Sequence, residues 1–249
     1  MTTRFEIIRA RIAHTVLVGC GCVALHTPNA TASVSIGGGY DYVQGAGDQQ
    51  TGSALAFIGG PLSTRVHATL AGIRYDDAIA GEGNGVLAGL AIGVTPAARL
   101  RAWGTRYFGD ADFSAWRVKA GPEATLPTGG TIGVYFAHDE SNVGEPSNAG
   151  IAELGVPLVP TLTGRAGGSY SVTRGTSNSV FGSLGIGWSP VRNFQITGDV
   201  GRSSNGVAST STTRPRGPLP ILGGGETTST TADPQAATVF QFGVRLMLP

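Results

Sequence analysis

The fold is decided most clearly by residues 116–126, WRVKAGPEATL, where the side chains alternate between apolar and polar. Apolar side chains, such as Trp116 and Val118, occupy even positions, and charged ones, such as Arg117 and Lys119, occupy odd positions. A β-strand points successive side chains to opposite faces. This segment is therefore predicted to be a strand with one apolar face and one charged face.

The same alternation recurs along most of the chain after residue 32 and predicts an all-β protein of about twelve strands, with ten as the other possibility. The predicted strands are residues 33–44, 51–59, 65–76, 85–94, 98–108, 115–126, 131–138, 149–156, 161–173, 179–188, 194–202 and 238–248.

Three places depart from the pattern. Residues 54–58 are apolar throughout, and the third strand changes phase near Ala71 and Gly72, where a bulge is expected. Arg106 falls on the face opposite Arg99 and Arg101, which predicts that the fifth strand bulges or ends below it.

Composition excludes several classes of protein. Glycine accounts for 40 of 249 residues, charged residues are 13%, and the net charge is +1. Coiled coils, charge-rich disordered chains and polybasic nucleic-acid-binding proteins all need more charge, so no nucleic-acid partner is expected. Glycines on the predicted inner face are expected to leave room for water.

The N-terminus has the organisation of a secretory signal peptide. Arginines at positions 4, 9 and 11 precede an apolar run, residues 15–25, and then the small-residue sequence ATA at 30–32. Residues 1–32 are predicted to be a cleaved signal peptide and residues 33–249 a single domain. The alternative is a lipobox at residues 17–20 that makes Cys20 a lipidated first residue.

Connections between the predicted strands alternate in length. Brief Pro/Gly turns, such as Gly60–Pro61 and Ser189–Pro190, alternate with longer polar loops, and the loop acids, Asp139 among them, are predicted to lie in the long loops. The longest loop, residues 203–237, is rich in Ser, Thr, Gly and Pro and is expected to be mobile. Short turns at one end and long loops at the other are typical of outer-membrane barrels.

Over residues 33–249 the chain resembles the bacterial outer-membrane β-barrel proteins, of the small porin or channel class. The C-terminal strand resembles the assembly signal of that class through Gln241, Gly243, Leu246 and Leu248. The resemblance implies a closed antiparallel up-and-down transmembrane barrel in the outer membrane of a Gram-negative bacterium. It also implies membrane lipid, lipopolysaccharide and the barrel-assembly machinery as partners, and no cofactor. A secreted β-sandwich and a lipocalin-like soluble barrel are the alternatives.

Charged residues of the strands are predicted to face the lumen. The lumen-lining candidates are Arg65, Arg99, Arg101, Arg117, Lys119, Glu123, Glu153, Arg165, Asp199 and Arg245, together with Asp41. Positive charges exceed negative ones by three in this set, which predicts a narrow, weakly anion-preferring channel for small solutes. The alternative is a closed structural or surface barrel, in which Arg117 or Lys119 pairs with Glu123 and Arg165 pairs with Glu153.

Signals for catalysis or metal binding are weak, and the protein is predicted not to be an enzyme. His138, Asp139 and Glu140 are adjacent where the seventh strand meets a loop, and a rim-site hydrolase built on them is the remaining alternative. His67 is expected to line the lumen, and no metal site is predicted.

Overall fold

The computed structural model describes residues 34–44, 50–77, 81–109, 113–142, 145–173, 178–205 and 237–248. The predicted signal peptide, Cys20 and most of the predicted long loop lie outside these ranges. The described strands are β1 (Val34–Gln44), β2 (Gln50–Pro61), β3 (Val66–Asp77), β4 (Gly81–Thr95), β5 (Ala98–Gly109), β6 (Ser114–Thr125), β7 (Thr131–Ser141), β8 (Ser147–Val159), β9 (Leu162–Thr173), β10 (Ser179–Val191), β11 (Phe194–Asn205) and β12 (Ala237–Leu248).

The strands form one closed antiparallel barrel in sequence order. Each strand pairs with its neighbours along the chain, and β1 pairs with β12 over its whole length, from Val34 opposite Leu248 to Gln44 opposite Thr238. The predicted up-and-down barrel of twelve strands is therefore confirmed. No helix in the described part of the chain has the length and apolarity needed to cross a membrane.

The two ends of the barrel differ in their connections. Residues 62–65, 96–97, 126–130, 160–161 and 192–193 make short connections at one end, here called the turn end, and the remaining connections lie at the loop end. Several predicted turns belong to strands instead: Gly60–Pro61 ends β2, and Ser189–Pro190 lies within β10. Asp139 likewise lies within β7, not in a loop.

Two predicted irregularities are absent from the strands concerned. Strand β3 stays in register with β2 and β4 through Ala71 and Gly72, without a bulge. Strand β5 also continues in register past Arg106, which is exposed on the outer face three residues before the strand ends at Gly109. An outward arginine at the membrane midplane costs roughly 2–4 kcal/mol but little near the interface, so its place near the loop end removes the conflict.

Alternation divides the barrel into an apolar outer face and a mixed inner wall. Large apolar side chains on the outer face are about half exposed, among them Leu70, Val86, Leu100, Val134, Phe136, Leu184 and Ile186. Buried polar and charged side chains point inward from the same strands, as Arg117 and Lys119 do in β6. This is the distribution expected of a barrel surrounded by hydrocarbon.

Part of the inner wall is itself apolar. One buried cluster is formed by side chains from β2 to β7, namely Leu55, Phe57, Ala71, Ile73, Tyr75, Leu87, Trp103, Tyr107, Phe113 and Tyr135. This cluster explains why residues 54–58 do not alternate in polarity: Leu55 and Phe57 face the cluster, while Ala54, Ala56 and Ile58 face outward. A strand with apolar surroundings on both faces has no need of polar residues.

Glycines on the inner wall give aromatic rings a place to lie. A Cβ added at Gly83 would overlap the ring of Tyr75, and one added at Gly89 would overlap the indole of Trp103. The space beside Gly83 and Gly89 is therefore occupied by aromatic rings and not by water as expected. A Cβ added at Gly72, on the outer face, would have no neighbouring atom within 4 Å.

We predict that Gly83→Ala destabilises the barrel by about 1–3 kcal/mol, because the new methyl group must displace the fully buried Tyr75 ring. Gly72→Ala is the matched control and should change stability by less than about 0.5 kcal/mol. Urea unfolding of the detergent-folded barrel measures both variants. Equal stabilities for the two would contradict this account of the inner glycines.

Candidate functional site: the inner wall

The structure places the predicted lumen residues on the inner wall with one exception. Arg65 lies in the exposed connection between β2 and β3, where its backbone carbonyl accepts a hydrogen bond from the Gly93 amide. The other ten candidates occupy inward positions of β1, β5, β6, β8, β9, β11 and β12: Asp41, Arg99, Arg101, Arg117, Lys119, Glu123, Glu153, Arg165, Asp199 and Arg245.

Glu123 is the centre of the densest ionic cluster. Its Oε1 accepts a hydrogen bond from Arg99 Nε at 2.7 Å, and its Oε2 accepts one from Arg101 Nη1 at 2.6 Å. The Tyr135 hydroxyl also donates a hydrogen bond to Oε2, at 3.0 Å. The Glu123 side chain is only 8% exposed, so two guanidinium groups and a hydroxyl compensate the desolvation of one carboxylate.

Three further ion pairs join strands of the inner wall. Lys119 Nζ lies 2.8 Å from Glu153 Oε1, Arg117 Nη2 donates to Asp139 Oδ2 at 2.6 Å, and Arg165 Nη1 lies 2.8 Å from Asp199 Oδ2. The expected pairing of Glu123 with Arg117 or Lys119 is wrong, because Glu123 binds Arg99 and Arg101. The expected pairing of Arg165 with Glu153 is also wrong, because Arg165 binds Asp199. Arg245 Nη2 donates to Ser35 Oγ at 3.0 Å.

Cation–π contacts join this ionic network to the apolar cluster. Lys119 Nζ lies 4.1 Å from the ring centroid of Tyr135 and 5.3 Å from that of Trp103. The Arg101 guanidinium stacks over Trp103 at 4.6 Å. Such contacts in a desolvated setting are worth about 2 kcal/mol each, so they help to hold the cations against the wall.

Sequence reasoning missed one inward acid. Because β7 extends to Ser141, alternation turns Asp139 inward, where Ser147 also donates to it at 3.0 Å. Among the described inner side chains there are thus five carboxylates, Asp41, Glu123, Asp139, Glu153 and Asp199, against six basic groups. The positive excess is one, smaller than the expected three. Extending the period-two alternation beyond residue 138 would have identified Asp139.

The inner charges are unevenly distributed along the barrel axis. Most basic side chains lie towards the turn end, where Arg99, Arg101 and Arg245 outnumber the carboxylate of Glu123, whereas Arg117 lies near the loop end beside Asp139. The carboxylates of Asp41 and Asp139 lie towards the loop end. The inner wall therefore has a positive turn end and a more negative loop end.

The three candidate catalytic residues do not share one face of the barrel: His138 Nε2 lies 4.0 Å from Glu140 Oε2 on the outer face, and Asp139 is on the inner wall. His138 faces outward, with Nδ1 2.9 Å from Asn148 Oδ1 and its ring 5.2 Å from that of Trp116, whereas Asp139 faces inward. The barrel wall separates the two side chains, so they cannot form a His–Asp dyad. No group of three or more His, Cys, Asp or Glu side chains within the described ranges is arranged to hold a metal ion. His67 lies on the inner wall opposite Ala91.

Solved structures show the same barrel. The COG4313 outer-membrane channel from Pseudomonas putida F1 is similar with a TM-score of 0.59 and 9% identity, covering 88% of this chain and 97% of that one. The NanC porin has a TM-score of 0.56 and 8% identity over 86% and 98% of the two chains. The CymD monoaromatic hydrocarbon channel has a TM-score of 0.55 and 8% identity over 88% and 89%.

The fold is that of the outer-membrane channels. No family model matches the sequence, and no curated protein matches it either. At this level of identity the likeness concerns the barrel and not the residues inside it, so the lumen chemistry of this chain has to be derived from its own side chains.

We predict that Glu123→Gln destabilises the barrel by about 3 kcal/mol, because it leaves Arg99 and Arg101 on the inner wall without their shared carboxylate. Glu82→Gln removes the partner of Arg74 in an exposed pair, with the two side chains 63% and 72% exposed, and should cost less than about 1 kcal/mol. Denaturant unfolding in detergent compares them. A Glu123 variant as stable as the Glu82 variant would refute the structural role of this cluster.

Proposed function

We propose that this protein is an outer-membrane channel, a narrow and weakly anion-preferring path for small solutes. The observation that carries the proposal is the division of the inner wall between an apolar cluster on β2–β7 and small polar side chains on β8–β12. The latter include Thr163, Ser171, Ser183, Thr197 and Ser203. Most of these hydroxyl side chains are buried, and a hydrated route along this side of the barrel is part of the proposal because they are small and polar.

The anion preference is attributed to the turn end. Arg99 and Arg101 share one carboxylate there, Arg245 lies at the same end on β12, and the connections add the exposed Arg65 and Arg192. Rings of basic residues favour anions, but the net excess of inner charge is small. The anion preference should therefore be weak and should arise at the turn end of the barrel.

The alternative function is a closed barrel that displays its loops to a partner. Its support is the density of the inner wall: the ion pairs and the aromatic cluster fill much of the interior on β2–β8. Liposome swelling separates the two. Uptake of small sugars and amino acids supports the channel, and liposomes as tight as protein-free ones support the closed barrel.

The proposed location is the outer membrane, with lipid and lipopolysaccharide around the barrel. Besides the apolar outer face, three outward arginines, Arg74, Arg106 and Arg202, each stand three residues before the loop end of their strand. At that height they would meet the anionic headgroups of the outer leaflet. A cleaved signal peptide belongs to the same proposal. So does recognition of the C-terminal strand by the barrel-assembly machinery, to which Leu246 and Leu248 present an apolar outer face while Gln241 and Gly243 face inward.

We predict that Arg245→Gln lowers the Cl⁻/K⁺ permeability ratio of the channel by about twofold. A unit charge about 7 Å from an ion in water changes the energy of that ion by about 0.6 kcal/mol. Arg106→Gln is the matched control, since Arg106 is exposed on the outer face and should leave the ratio unchanged. Reversal potentials across planar bilayers in a KCl gradient measure both.

A wild-type ratio that favours K⁺ would contradict the proposed anion preference, and an absence of conductance would contradict the channel. An equal change in both arginine variants would show that the inner wall does not set the selectivity.

A further inference from the structure

One inner carboxylate stands apart from the network of ion pairs. Asp41 on β1 is 1% exposed, and neither of its carboxylate oxygens accepts a hydrogen bond from any described residue. Its cross-strand partner on β12, Gln241, is 6% exposed, and neither its amide oxygen nor its amide nitrogen has a hydrogen-bond partner among the described residues. These two side chains leave both acceptor oxygens of Asp41 and the amide oxygen of Gln241 unused.

A second carboxylate lies in the same row. Gln241 is directly opposite Asp199 on β11, and Asp199 is close enough to Asp41 for the two carboxylates to repel each other. Arg165 reaches Asp199 across Gly185, where a Cβ would overlap the Asp199 carboxylate. The row Asp41–Gln241–Asp199 thus holds two carboxyl groups, of which only that of Asp199 is paired with Arg165.

The surroundings make this imbalance costly. On the loop side of the row lies the buried apolar cluster Val43, Phe181, Ala237 and Val239, which offers Asp41 no polar partner. On β2, Ser53 lies opposite Asp41 and is also buried. An ionised carboxylate kept from water without a partner is strongly unfavourable, so Asp41 is either held as the neutral acid or paired with a bound positive ion.

We infer that the row Asp41–Gln241–Asp199 is a binding site for one small monovalent cation, of the size of K⁺ or ammonium, inside the barrel. The donors are all oxygens, which suits a hard cation. A single charge suffices, because Asp199 is already balanced by Arg165. The cross-strand spacing of about 5 Å between neighbouring Cβ atoms lets the carboxylate and amide oxygens reach a common ion.

The test measures stability and does not require the barrel to conduct, so its failure is distinguishable from failure of the proposed channel. The detergent-folded protein is heated in KCl, in NH₄Cl and in tetramethylammonium chloride at equal ionic strength. An ion that binds only the folded barrel raises the midpoint of thermal unfolding. We expect the small cations to raise it by about 3 °C relative to tetramethylammonium, which is too large for the site. A response to KCl alone or to NH₄Cl alone supports the site and identifies its ion.

Variants locate the effect. Asp41→Asn, which is nearly the same in shape, should lose the cation-dependent shift. Gln241→Met removes the amide oxygen from the site and should reduce the shift. Asp139→Asn is the matched control, because it removes the same charge from an inner carboxylate that already binds Arg117; its shift should equal that of the wild type.

Three results would overturn the site: no difference between the small cations and tetramethylammonium in the wild type, an undiminished shift in Asp41→Asn, or loss of the shift in Asp139→Asn as well. The first would mean that Asp41 is held as the neutral acid, and the last that the cations act on the charge of the whole lumen.

Discussion

The closure of the sheet is the constraint on which the rest of the structure depends. In hydrocarbon each unpaired backbone group costs several kcal/mol, so a sheet that crosses a membrane can have no free edge. Here the pairing of β1 with β12 removes the last edge, and it extends from one end of both strands to the other. Once the ring is closed, alternation assigns every side chain either to the outer face or to the inner wall. The chain can then hold few charges on one face and must gather the remainder on the other.

Gathering charges inside a narrow barrel creates its own requirement, because each inner charge is partly removed from water. The chain meets it with cross-strand pairs: Lys119 with Glu153, Arg165 with Asp199, and Arg99 and Arg101 with Glu123. These pairs also connect strands that are not neighbours, since Lys119 on β6 reaches Glu153 on β8. The ionic network therefore braces the wall across several strands. It lowers the net charge of the lumen to the point where the position of each charge matters more than the sum.

The sequence predicted the faces of the strands better than the contacts between them. The twelve strands and the faces of most of their residues follow from a period of two, which is local information; Arg65 and Asp139 are exceptions, because the bounds of β3 and β7 were misjudged. The partner of Glu123 does not, because the choice between Lys119, Arg99 and Arg101 depends on the register between strands and on how far each side chain reaches. Arg106 shows a different limit. Alternation assigned Arg106 correctly to the outer face. Because the end of β5 at Gly109 was not known, the sequence could not show that Arg106 lies near the membrane interface. The inner glycines show a third limit of sequence reasoning. Only the structure reveals that the rings of Tyr75 and Trp103 occupy the space beside Gly83 and Gly89.

The inner wall reconciles two demands that oppose each other. A barrel of twelve strands is wider than one that side chains fill completely and narrower than one that leaves a broad pore. If aromatic residues surrounded the whole lumen it would close, and if small residues did so the wall would lack internal support. The chain places its bulk on one side, where Trp103 and Tyr135 pack edge to face with ring centroids 5.5 Å apart. The opposite side carries hydroxyl groups and glycine, and Asp41 lies where that polar side meets β1. In the proposed channel, a solute on the polar side passes the more basic turn end and the Asp41 carboxyl group in succession, so groups of both signs act on one path.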